Sequence, residues 1–129
     1  MKLLLAINLL AVASAAQAAP LTVRTGETWL FTIDKGEPAN ARKVDSSAKP
    51  AKGQLMISVR AMMGTAMIVT NNSPVAYTFR AELLRGGKAE AARTCTLPGK
   101  PTPIFEQWPQ KADAIRIGAF RPTGPGGNC

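Results

Sequence analysis

Residues 55–84 (LMISVRAMMGTAMIVTNNSPVAYTFRAELL) constrain this chain more than any other stretch. Leu55, Ile57 and Val59 alternate with Met56, Ser58 and Arg60, and Val75, Tyr77, Phe79, Ala81 and Leu83 repeat the same two-residue period. A strand sends successive side chains to opposite faces, so this spacing buries one face and wets the other. It predicts three consecutive strands over 55–60, 65–70 and 75–84. Gly64 suits the first connection because a hairpin loop needs a residue free to take positive φ. Asn71-Asn72-Ser73-Pro74 supplies the second, from three turn-forming residue types and a proline that cannot donate to a ladder.

The rest of the chain carries the same signal in shorter pieces. Residues 19–25 read as an extended lead-in. In 28–34 (TWLFTID), Trp29, Phe31 and Ile33 share one face and Leu30 takes the other. A weakly amphipathic strand is expected over 41–45, with Pro38 holding the residues around it out of helix. Residues 46–53 form an exposed loop, and 90–97 a strand carrying Cys95. In 114–120, Ile115, Ile117 and Ala119 are expected on one face and Phe120 on the other. Four prolines within 98–109 predict a long stiff connection, with Ile104, Phe105 and Trp108 folding back to plug one end of the core. Six or seven short strands bounded by turns define an all-β chain. We read it as a small antiparallel β-sandwich of immunoglobulin-like architecture, with a small closed β-barrel as the alternative. The antibody-type Cys…Trp…Cys spacing is absent.

The N-terminus has a different character. Lys2 precedes an apolar run from Leu3 to Val12, and Ala16-Gln17-Ala18 is an A-x-A cleavage pattern. Residues 1–18 therefore read as a secretory signal peptide, leaving residues 19–129 as one domain. The apolar run is shorter than the ~20 residues a spanning helix requires, and no later segment is long enough to cross a bilayer. The expected destination is the bacterial periplasm or the medium. The chain's two cysteines, Cys95 and Cys129, then favour a disulfide. They lack the C-x-x-C spacing of a redox pair, and with no histidine in the chain they cannot complete a tetrahedral metal set.

That missing histidine also rules out Ser-His-Asp and Cys-His catalysis. Ser46, Ser47 and Lys49 lie close together, but nothing near them supplies an oxyanion hole, so they read as a solvated loop. Glu106 is the one acid in an apolar neighbourhood, and a single carboxylate is no glycosidase pair. We therefore expect a non-catalytic protein with no cofactor. The chain carries a net charge of +8, which attracts polyanions. In an exported protein, the expected partner is an anionic envelope polymer or another protein, and not nucleic acid. Basic residues are locally dense only over 42–52, which makes Arg42, Lys43, Lys49 and Lys52 the expected contacts. The alternative is soft-metal handling, because Met56, Met62, Met63 and Met67 supply thioethers suited to Cu(I). Methionine also fills irregular core gaps, and alternation would send these four to different faces. Asn71-x-Ser73 matches a glycosylation pattern but reads equally as a plain turn. Trp29 is expected in the core and Trp108 partly exposed.

Overall fold

The structure, a computed structural model, describes residues 18–124. All but the last residue of the expected signal peptide, and Cys129, lie outside the described residues. Nine strands run in order: β1 (Leu21–Arg24), β2 (Thr28–Asp34), β3 (Glu37–Val44), β4 (Leu55–Arg60), β5 (Thr65–Asn71), β6 (Ala76–Arg85), β7 (Lys88–Ala92), β8 (Ile104–Trp108) and β9 (Ala114–Thr123). They form a four-stranded sheet, β1-β9-β6-β7, and a five-stranded sheet, β3-β2-β4-β5-β8. Every pairing is antiparallel. The fold is a small β-sandwich with open sheet edges, not a closed barrel.

The predicted alternation is what joins the layers. Leu55, Ile57, Val59, Met67, Val69 and Phe31 from the five-stranded sheet meet Val23, Phe79, Ala81, Leu83, Ile115 and Ile117 from the other. At about 25 cal/mol per Å² of apolar surface removed from water, burial of these side chains is the main favourable term. The edges are blunted. Pro38 sits in β3 and prolines flank β8, and a proline on an edge offers no N–H for another chain to pair with.

Several sequence expectations need correction. β3 begins at Glu37 rather than 41, because an edge strand tolerates the missing N–H of Pro38. The strand expected over 90–97 is β7 and stops at Ala92; beyond it only Leu97 pairs, in an isolated bridge to Tyr77. The proline-rich stretch is not a bare connection. It contains β8, which pairs with β5 from Thr65↔Trp108 to Val69↔Ile104. Ile104 and Trp108 do pack against the core, but Phe105 alternates to the outward face and stays 52% exposed. The strand count is therefore nine, not six or seven. The turn after β5 also does more than join neighbours, since it carries the chain from one sheet to the other. Asn71 makes that corner. It is fully buried, its Nδ2 donating to the carbonyls of Val75 (2.7 Å) and Pro98 (3.1 Å). Its Oδ1 accepts from the Ser73 hydroxyl and amide. Both ends of the side chain are satisfied internally, which leaves no amide for a glycan.

The largest departure concerns Phe120. The β6–β9 register slips between Thr78 and Arg80, where β9 sets Ala119 and Phe120 against the single residue Phe79, and Ala119 takes φ +53°. A one-residue bulge inverts the alternation beyond it. Phe120 thus turns inward to 2% exposure. Its ring lies 5.1 Å from Phe79, 5.8 Å from Phe31 and 5.9 Å from Tyr77, linking both sheets. Burial also pushes the Tyr77 hydroxyl pKa up. Phe120→Ala should cost about 3–5 kcal/mol by denaturant unfolding. A loss below about 1 kcal/mol would show that this aromatic centre does not hold the layers together.

Candidate functional site

The four basic residues singled out in the sequence do not share one environment. Arg42 pairs with Leu30 and Lys43 with Trp29, so adjacent positions on β3 send their side chains to opposite sides. Lys43 approaches Glu27 at 3.6 Å at the rim of the sandwich. Glu27 is a poised anion: the Arg24 amide, the Trp29 indole N–H and Lys43 all hold its carboxyl below the usual range. Arg42, Lys49 and Lys52 are exposed, and none takes part in an ion pair among the described residues.

Topology fixes the segment that carries Lys49 and Lys52. β3 and β4 both pair with β2 and run the same way, so residues 45–54 must return from the level of Thr28 to that of Phe31 to connect them. Leu30, on the outward face of β2, is only 3% exposed. The crossover is folded on itself at one end and pinned at the other. The Ser47 hydroxyl and amide both donate to Asp45 Oδ1, lowering the Asp45 pKa. Gly53 N donates to Asn72 O at 2.7 Å, and Asn72 Nδ2 donates to Pro50 O at 2.9 Å. Lys49 and Lys52 therefore ride on a loop anchored at Asn72.

The four methionines are also split. Met67 is fully buried between the sheets, whereas Met56 faces outward and is half-buried. Met62 and Met63 are 47% and 92% exposed at the β4–β5 tip. That tip is fixed against β8, where Gln107 Nε2 donates to Met62 O at 2.6 Å. At Gly64, φ is +112° and a Cβ would sit 2.1 Å from Trp108 O, so only glycine fits. Two thioethers share the tip, and the other two are elsewhere.

The remaining candidates have structural partners. Glu106 accepts the Cys95 amide hydrogen. Trp29 and Trp108 are partly buried and pack against the core. Cys95 is not a free thiol, and its expected partner Cys129 lies outside the described residues. Two clefts of about 580 and 540 Å³ contain Lys100 alone and Arg24, Lys111 and Asp113 respectively as charged residues. Neither places a nucleophile beside a base. Among the described residues, no group of three acidic or cysteine ligands could hold a metal ion.

The sequence reading gave no role to Glu37, beyond counting it among the acids. This residue lines a small cavity of about 130 Å³ with Pro20, Arg80, Glu82, Arg116 and the β9 bulge. Its Oε1 accepts the Ala119 amide at 3.1 Å, the N–H that the bulge removes from the ladder. Gly118, an isolated glycine inside a strand pattern, is the sequence signal that pointed to the bulge. Set against known protein families, characterised proteins and solved structures, the chain matches none of them.

Proposed function

We propose that this chain is an exported, non-catalytic β-sandwich module of the bacterial envelope that binds an anionic polymer. The supporting observation is the trio of exposed cations, Arg42, Lys49 and Lys52, without acidic partners and borne on an edge strand and an anchored crossover. Cations held on a fixed backbone lose little chain entropy on binding, and their long-range field speeds encounter. The test is retention on a heparin column across a salt gradient. Replacing Arg42, Lys49 and Lys52 by Gln should lower the eluting salt concentration well below that of wild type. Lys43→Gln should shift it much less, because Glu27 already screens that charge. Equal retention of the triple variant would overturn the proposal.

The exported state carries a second expectation, a disulfide joining Cys95 to Cys129. It would tie the C-terminal end back beside Glu106 and close a loop of about 35 residues, stabilising by roughly 3–4 kcal/mol. Intact mass of the exported protein should show no alkylatable thiol until a reductant is added. A thiol modified without reduction would rule the bridge out.

Copper handling is the competing reading, favoured by the paired exposure of Met62 and Met63. A Cu(I) competition titration separates the two. Binding that outcompetes a weak chelator and is lost in Met62→Leu/Met63→Leu would establish copper, and no such binding would exclude it.

A further inference from the structure

We infer that Glu37 is the acceptor for the α-ammonium group that signal-peptide removal creates at Ala19. The inference rests on the export reading, and takes its geometry from the corner where β1, β3 and β9 meet. Glu37 Oε1 is occupied by the Ala119 amide, but Oε2 is buried and has no hydrogen-bond partner among the described residues. A buried carboxylate oxygen without a partner is costly, and native structures rarely keep one.

The chain supplies a neighbour of the right kind. Ala19 N donates to the carbonyl of Pro38, the residue directly after Glu37, at 3.1 Å. Pro20, the residue directly after Ala19, lines the same cavity as Glu37. A Cβ built on Gly118 would lie 2.7 Å from Glu37 Oε2 and 3.4 Å from Pro20 Cβ, so the two sit across a single glycine. Any larger residue at 118 would push between them.

Processing changes what Ala19 N can donate. In the precursor it is a peptide nitrogen whose one hydrogen is already spent on Pro38. The A-x-A pattern at 16–18 places the scissile bond between Ala18 and Ala19. A signal peptidase hydrolyses that bond with one water. The hydroxyl goes to the Ala18 carbonyl carbon, leaving its carboxylate, and the Ala19 nitrogen leaves as an amine that is protonated at neutral pH. An ammonium has three donors, so one can stay on Pro38 O while another reaches Glu37 Oε2. The other charged groups around the cavity are Arg80, which is exposed, and Glu82 and Arg116, which pair with each other at 3.0 Å. The corner that sets the β9 bulge is therefore completed only in the processed chain. An exported precursor benefits from that delay, because folding before translocation is the less complete.

The test compares two N-termini in two backgrounds. One protein starts at Ala19 with a free amine, released by a protease that leaves no extra residue, and the other retains Ala18 and a preceding Met. At pH 6 the Ala19 form should melt about 2–5 °C higher, as expected for a partly buried ion pair in a domain of this size. The carboxylate raises the ammonium pKa above its unfolded value of roughly 8, so the gain is full below that pH and disappears as pH rises through the folded value. In Glu37→Gln, which can still accept the Ala119 amide, the two forms should melt together at every pH. Acetylating the Ala19 amine in the wild-type chain should remove the gain and leave Glu37 in place. No gap in the wild type, or an equal gap in Glu37→Gln, overturns the pair. N-terminal sequencing of the protein recovered from the native cell reads processing separately: a start elsewhere than Ala19 defeats the maturation step, whatever the melting data show.

Discussion

The bulge in β9 is the constraint on which this sandwich depends. Without it, strict alternation from Ile115 and Ile117 would send Phe120 to solvent, and the rings of Phe31, Tyr77 and Phe79 would lose their common partner. One extra residue at Ala119–Phe120 reverses the phase and brings Phe120 between the layers. The cost is an alanine in left-handed backbone and an amide outside the ladder. Two contacts from the β2–β3 turn offset it: Glu37 takes the Ala119 amide, and Gly36 O accepts from Phe120 N at 2.7 Å. A turn belonging to one sheet thereby shapes a strand of the other, which couples the layers by hydrogen bonds as well as by packing.

The same division between scaffold and loops runs through the whole molecule. Most buried polar side chains are matched: Asn71 at the sheet-switching corner, Thr65 bridging Gln110 and Ala112, and the Thr28–Ser58 hydroxyl pair on the outward face, with Glu37 Oε2 an exception. Each holds a junction between strands. Exposed positive charge is spread over both sheets and their loops, and Arg42, Lys49 and Lys52 are the part of it borne on an edge strand and the crossover. A small sandwich has little interior to give to a site, so recognition falls to the surface its connections present.

Much of the fold was legible because burial on one face leaves a period of two. Residues 28–34, 55–60, 65–71 and 76–85 form strands where the alternation placed them, and the inward faces of these strands match it. β8 was not legible: prolines at 98, 101, 103 and 109 mask a strand of five residues, and only pairing with β5 shows that it exists. Phe105 was expected among the plugs, yet its neighbours Ile104 and Glu106 take the inward positions. The basic cluster was legible as composition only. Adjacency in sequence put Arg42 and Lys43 together, whereas the strand separates them onto opposite sides.

Sequence alone determined the class of fold, since alternating apolar residues over short, turn-bounded segments can bury their faces only in packed sheets. Tertiary structure alone decided which strands share a sheet, how the Asn71 corner passes the chain between layers, and which way Phe120 points. Those outcomes depend on contacts between residues far apart in the chain, such as Glu37 with Ala119, which leave no local period to read. Glu37 looked like one acid among eight until the fold set it beside the bulge and Pro20.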